Sequence, residues 1–133
     1  MTIISNLKKR KEMMKILQYQ YMSLKIEVGD LREKKQKSDF KTQESEYAYL
    51  NLLASFSEFK RKYGLTLDNY IYEENFILIN EKYNAYIESK KTSAALQELL
   101  NQRLDALVIH KRKVGHLKDS LRQDELNILF ENV

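Results

Sequence analysis

The sequence contains no cysteine and no proline, and only three glycines in 133 residues. Without cysteine no disulfide framework can form, so a reducing compartment is allowed. Without proline helices can run uninterrupted, because an interior proline costs about 3 kcal/mol. These absences predict a single structural unit with few sharp loops.

Long apolar runs are also missing. The longest fully apolar run, residues 76–79, is far shorter than the roughly 20 residues that span a bilayer. The basic stretch at residues 8–11 is not followed by the apolar segment of a secretory signal. We therefore expect a soluble, cytoplasmic chain with no membrane insertion.

Charged residues make up 32% of the chain and hydrophobic residues 43%, which is typical of narrow apolar seams with solvated flanks. Residues 1–63 carry 14 Lys or Arg and eight Asp or Glu (+6), whereas residues 64–133 carry nine and 11 (−2). Opposite signs favour two halves lying side by side, although exposed ion pairs contribute only about 0–1 kcal/mol each. The total of +4 is a weak argument for a nucleic-acid partner.

The stretch from residue 62 to residue 70 contains the predicted turn. Gly64 offers the left-handed backbone geometry that ends a helix, and Thr66 or Asp68 can cap the next one. The sequence predicts an all-α fold, a long two-helix antiparallel coiled-coil hairpin. Helix 1 covers about 5–62, the turn 63–68 and helix 2 about 69–130, in a single unit of 1–133.

Apolar residues recur in both halves at alternating spacings of three and four, the mark of a coiled-coil seam. In the first half the seam residues are Met14, Leu17, Tyr21, Leu24, Val28, Leu31, Tyr49, Leu52, Phe56, Phe59 and Tyr63. In the second half they are Tyr72, Phe76, Ile79, Tyr83, Tyr86, Leu96, Leu100, Leu104, Leu107, Val114, Leu117, Leu121 and Ile128.

The first seam is polar across residues 36–44, which has two interpretations. This stretch is either a loop that splits the helix or a solvated part of a continuous one. A fold at about residue 65 places positions whose numbers sum to roughly 131 opposite each other, so the polar patch at 88–93 faces 38–43. This match favours two continuous helices over three.

Motifs of catalysis are missing from the sequence. There is no P-loop and no nucleophile elbow. His110 and His116 are six positions apart, on different faces of a helix, and adjacent carboxylates such as Glu73 and Glu74 are turned apart. We predict no enzyme, no catalytic residue, no metal and no cofactor.

Two groups of residues remain as candidate binding surfaces. Basic residues near both termini come together at the open end of the hairpin. They form either a solvated face or an electrostatic plug for an acidic or ring-shaped partner. Aromatic residues crowd the closed end, where an apolar surplus suggests a docking surface. The basic group is Lys8, Lys9, Arg10, Lys11, Lys111, Arg112, Lys113, Lys118 and Arg122.

Residues 64–66, Tyr70, Ile71 and residues 76–77 resemble the turn and second-helix start of the FliJ family, with no gap between the glycine and the phenylalanine. FliJ proteins are central stalks of the flagellar export ATPase, with counterparts in virulence-type III secretion systems. The resemblance implies that the paired termini sit in the pore of a hexameric export ATPase and promote its assembly and activity. The other end would reach the export gate at the cytoplasmic face of the inner membrane. Secretion chaperones are a further class of partner.

The resemblance assigns the basic residues to the ATPase and the residues near the turn to the gate. The gate-facing aromatic falls on Phe76, and a second apolar contact falls on Asn80, which is polar here, so that Ile77, Ile79 or Tyr83 would have to substitute. The composition favours a virulence-type system over a flagellar one. The gate-binding residues expected are Tyr70, Tyr72, Phe76, Ile77 and Asn80.

Three other functions remain open. A chaperone-like hairpin of the prefoldin or tubulin-cofactor type would hold clients at its arm ends, where Met13, Met14 and Leu17 lie but basic residues argue against it. A generic coiled-coil interaction protein fits the same pattern. A nucleic-acid-binding coiled coil would show a steep salt dependence.

Overall fold

The computed structural model describes the backbone of residues 3–64 and 69–131 and the side chains of residues 5–64 and 72–130. It contains two helices, α1 (Ile3–Tyr63) and α2 (Asn69–Glu131), which pack against each other. The described residues include no strand, so the prediction of an all-α, antiparallel two-helix hairpin is confirmed. The predicted start of the second helix agrees with this, and the other predicted helix ends differ by one or two residues, as is usual where helices fray.

The helix α1 runs without a break through residues 36–44. The alternative in which a loop splits the first half is therefore wrong, and the continuous helix that the matching polar zones favoured is confirmed. No proline interrupts the backbone hydrogen bonds, and polar residues between two apolar zones do not by themselves end a helix.

The two helices form two compact units. We call residues 1–31 with 99–133 the terminal unit and residues 32–98 the turn unit. Their cores differ in composition. The turn unit buries Ile79 and adds half-buried aromatic and aliphatic side chains, among them Tyr49, Phe56 and Leu52, whereas the buried core of the terminal unit contains no aromatic ring. The buried residues described in the terminal unit are Met14, Val28, Leu31, Leu100 and Leu121.

On α1 the seam follows the predicted heptads. Positions that are not exposed recur at spacings of three and four from Leu7 to Phe56 without a slip. The prediction is wrong for the last two members, Phe59 and Tyr63, which are exposed. Their rings lie 5.1 Å apart along α1, so they pack on each other.

On α2 the predicted seam is displaced by one position near the turn. Asn75 is half-buried there, whereas Phe76 is 63% exposed. Spacings of three and four from Tyr72 through Asn75 to Ile79 keep one face of α2 towards α1, and the next position is turned about 100° away. Tyr83 is also exposed, although its ring centroid lies 5.2 Å from that of Tyr49.

The end of α1 is closed by a side chain from α2. The hydroxyl of Tyr72 donates to the carbonyl oxygen of Gly64 (2.9 Å), one of the carbonyls that a helix end leaves without an intrahelical partner. Gly64 does not have the predicted left-handed φ. Glycine is required for another reason, because a Cβ there would lie 2.4 Å from the Lys60 carbonyl oxygen. The predicted caps, Thr66 and Asp68, lie outside the described residues.

A layer of hydroxyl groups crosses the seam in the turn unit. Ser93 of α2 lies 2.7 Å from Ser38 Oγ and 3.1 Å from Thr42 Oγ1, as the predicted pairing of the two polar zones requires. Thr42 donates its one hydrogen to the Ser38 carbonyl (2.9 Å), so towards Ser93 its oxygen can only accept. Ser93 is also hydrogen-bonded to the Asp39 carboxylate, and these contacts together link the helices at one register.

An ion pair borders this hydroxyl layer on α1. Lys35 Nζ lies 2.6 Å from the Asp39 carboxylate, and this hydrogen bond lowers the pKa of Asp39. Both side chains are partly exposed, so the pair adds little to stability. Lys35 therefore places a charged group at the seam, but Asp39 neutralises it.

We predict that Ser93→Ala lowers the free energy of unfolding by about 0.5–1.5 kcal/mol relative to Ser57→Ala, because it removes the shared hydroxyl of the layer. Ser57 is exposed on α1, so its substitution has the same effect on helix propensity but removes nothing from the seam. Urea unfolding followed by circular dichroism measures the difference. Equal stabilities would show that the layer contributes nothing.

Candidate interaction surfaces

The net charge of the chain lies in one unit. The terminal unit contains 12 Lys or Arg and eight Asp or Glu (+4), whereas the turn unit contains 11 of each (0). The two candidate surfaces therefore differ in chemistry. One is basic, and the other is neutral and aromatic.

On α1 the basic cluster is partly neutralised within the protein. Arg10 forms an ion pair with Asp124 and donates to Ser120 Oγ (2.8 Å), and Lys11 lies 3.1 Å from Glu125. These contacts hold α1 against α2 near the termini. Lys8 and Lys9 are exposed and make no ion pair with any described side chain.

On α2 the predicted basic residues are all exposed and also lack an ion pair with any described side chain. They do not form one patch. Positions 111, 118 and 122 follow each other at seven and four residues, so they share one side of the helix. Lys113 lies on another side, at the edge of the groove described next. The exposed residues are Lys111, Arg112, Lys113, Lys118 and Arg122.

A shallow apolar groove of about 470 Å³ lies between the helices of the terminal unit. Lys113 at its edge makes it suited to an apolar group beside a negative charge. His116 lines it, whereas His110 donates to Gln20 Oε1 (3.1 Å). No group of three His, Cys, Asp or Glu side chains among the described residues could hold a metal ion. The groove is lined by Met13, Leu17, Lys113, His116 and Leu117.

In the turn unit, Tyr72 is engaged internally. Its ring meets Phe56 edge-on, with centroids 5.9 Å apart, and its hydroxyl is bonded to Gly64. These two contacts make Tyr72 an anchor between the helices. The predicted gate residue Tyr70 lies outside the described side chains.

Phe76, Ile77 and Asn80 are exposed on α2. Phe76 lines a groove of about 290 Å³ together with Phe56, Lys60, Tyr72 and Glu73. Large apolar side chains at the edge of such a groove are typical anchors of protein interfaces. The exposed surface near the turn is therefore suited to an apolar partner.

Sequence reasoning missed a further apolar surface, on α1 of the terminal unit. Ile16, Tyr19, Met22 and Ile26 are all exposed by more than half, Tyr19 by 75%. A signal was present in the sequence, because three of them follow seam residues by five positions. It was overlooked because a single seam already explained the heptads.

Comparisons with protein-family models, with curated proteins and with solved structures find no match to this chain. Across residues 3–64 and 69–131, neither helix has a segment long and apolar enough to cross a membrane.

We predict that Tyr72→Phe lowers the free energy of unfolding by about 0.5–1.5 kcal/mol, because the Gly64 carbonyl loses its donor while the ring contact with Phe56 is kept. Tyr47→Phe is the matched control, since the Tyr47 side chain is exposed and makes no hydrogen bond or ring contact with any residue that the structure describes. Thermal unfolding of the two variants measures the difference. An unchanged Tyr72→Phe protein would show that the cap is dispensable.

Proposed function

We propose that this chain is the central stalk of a type III secretion export ATPase. In this role the terminal unit enters the pore of the hexamer and promotes its assembly and activity. The turn unit binds the export gate at the cytoplasmic face of the inner membrane. The chain contributes one binding surface from each unit.

The observation that supports this proposal best is the separation of charge between the two units. All of the net charge of +4 belongs to the terminal unit, and the turn unit is neutral. A basic surface suits an acidic pore, because complementary charge speeds association and fixes orientation. A neutral surface with exposed Phe76 and Ile77 suits an apolar contact instead.

The free positive charges are the ones available to the ATPase. Arg10 and Lys11 already face carboxylates of α2, so reversing their charge would also loosen the terminal unit. Arg112 and Lys113 are exposed, and neither makes an ion pair with a described side chain. A test of the proposal should therefore change these two residues.

We predict that Arg112→Glu with Lys113→Glu raises the concentration needed for half-maximal stimulation of the export ATPase roughly tenfold. Two reversed rim charges would cost about 1–2 kcal/mol in such a contact. The effect should shrink as salt increases, because exposed charges are screened. ATP hydrolysis by the purified hexamer, titrated with the variant, measures it.

Lys82→Glu with Lys91→Glu is the matched control, because it makes the same change of net charge at exposed positions of the turn unit. It should leave ATPase stimulation unchanged. Phe76→Ala should also preserve stimulation but weaken binding to the gate protein in a pull-down. If stimulation of the ATPase survives the charge reversal in the terminal unit but is lost in the control, the two ends are assigned the wrong way round.

A second function, a client-holding hairpin of the prefoldin type, is favoured by the open groove with Met13 and Leu17 in the terminal unit. Suppression of the aggregation of an unfolded client, lost in Leu17→Glu, would support it. A chain that stimulates the ATPase and does not protect clients would exclude it.

A further inference from the structure

The exposed apolar residues of α1 in the terminal unit lie on the side of the helix that faces away from α2. A residue five positions after a seam residue is turned about 140° from it. Tyr19, Met22 and Ile26 follow the seam residues Met14, Leu17 and Tyr21 in this way. We call Ile16, Tyr19, Met22 and Ile26 the outward face of α1.

Gly29 continues the outward face at the same spacing, five positions after Leu24. A glycine inside a helix costs about 1 kcal/mol relative to alanine. Nothing within the described protein requires it, because a Cβ at this position would meet no atom within 4 Å. Because Gly29 has no side chain, another helix could come close at this position.

The outward face is complementary to itself when it is read in the opposite direction. If positions whose numbers sum to 45 lie opposite each other, Tyr19 faces Ile26 of a second copy and Ile26 faces Tyr19 of that copy. Ile16 then faces Gly29 of the second copy, so the large side chain meets the position without one. Met22 faces Ser23 at the centre.

The charges that directly flank the apolar residues of this face follow the same rule, whereas further out Glu12 lies opposite Glu33 of the second copy. Lys15 lies opposite Asp30 of the second copy, and Asp30 opposite its Lys15. Both side chains are exposed, and neither makes an ion pair with any described side chain. In a two-fold pair each of them would therefore gain a partner of opposite sign.

From this juxtaposition we propose that the outward face of α1 binds the same face of a second copy of this chain, antiparallel and about a two-fold axis near residues 22 and 23. The site is formed by Ile16, Tyr19, Met22, Ile26 and Gly29, with Lys15 and Asp30 at its ends.

The interface is a single crossing of two helices, so it is smaller than most stable dimer interfaces. The dimer should therefore dissociate on dilution. Acidic Glu12 and Asp30 lie on the same face, which disfavours an anionic membrane as the occupant, because interfacial helices carry mainly basic residues beside their apolar face.

The decisive test is a charge exchange at the ends of the face. Lys15→Asp alone and Asp30→Lys alone should each weaken self-association roughly tenfold, because each substitution acts twice in a two-fold pair. Lys15→Asp with Asp30→Lys in one chain should restore it. Sedimentation over a range of concentrations measures the dissociation constant, and circular dichroism checks that each variant is helical.

The proposal would be overturned if the wild-type protein stays monomeric at high concentration. It would also be overturned if the double variant associates no more tightly than the single variants, or if the single variants associate as tightly as the wild type. Tyr19→Lys should abolish association, whereas Tyr47→Lys, which changes an exposed tyrosine of the turn unit, should not. A loss of association in Tyr47→Lys would place the interface elsewhere.

A cysteine probe gives a second readout, because the natural chain has no cysteine. Ser23→Cys should form a disulfide-linked dimer under mild oxidation, since the two copies of this residue would lie beside the axis. Gln123→Cys, exposed on α2, is the matched control and should remain largely monomeric. Equal cross-linking of both variants would contradict the assigned geometry.

Discussion

The seam between α1 and α2 is the constraint on which the rest of the structure depends. None of the described side chains is fully buried, and within the described part of the chain each helix packs against the other. Isolated helices gain little from propensity alone, so their stability comes from the apolar face that they bury. Each change in the seam therefore affects both helices.

A seam of regular heptads does not by itself choose one alignment, because a slip by seven residues again matches apolar with apolar. The hydroxyl layer of Ser38, Thr42 and Ser93 makes the slipped alignments worse, since a slip by seven residues would leave Ser38 opposite Tyr86 or Leu100 and without Ser93 as its partner. Polar layers of this kind specify register at some cost in stability. The cap from Tyr72 to Gly64 has a similar effect near the turn.

The sequence was sufficient to predict the two helices, their continuity and the pairing of polar zones, because heptad spacing reflects the geometry of the helix directly. It was misleading at Phe76, since hydrophobicity favoured the phenylalanine whereas the spacing from Tyr72 places Asn75 in the seam. Sequence could not show that Arg10 is neutralised by Asp124, because that pair joins residues far apart in the chain. The sequence also predicted the wrong reason for the glycine at position 64. A left-handed φ and a close approach of another backbone atom both require glycine, and the sequence does not distinguish them.

A fold of two helices leaves some apolar residues exposed, but these residues are not all equivalent. A scattered exposed leucine needs no explanation, whereas apolar residues that repeat at heptad spacing opposite the seam indicate a second helix partner. The outward face of α1 is of the second kind.

Pairing of two copies and insertion of one copy into an ATPase pore would both use the terminal unit. If a bound pore excludes the second copy, the two equilibria compete by mass action, and the ATPase would have to overcome the free energy of dimerisation. Self-association would then hold free chains in an inactive pair and make stimulation depend on the concentration of the ATPase. Since Lys15→Asp alone weakens the pair of copies but leaves Arg112 and Lys113 unchanged, it separates the two equilibria: this variant should stimulate the ATPase at a lower concentration than the wild type.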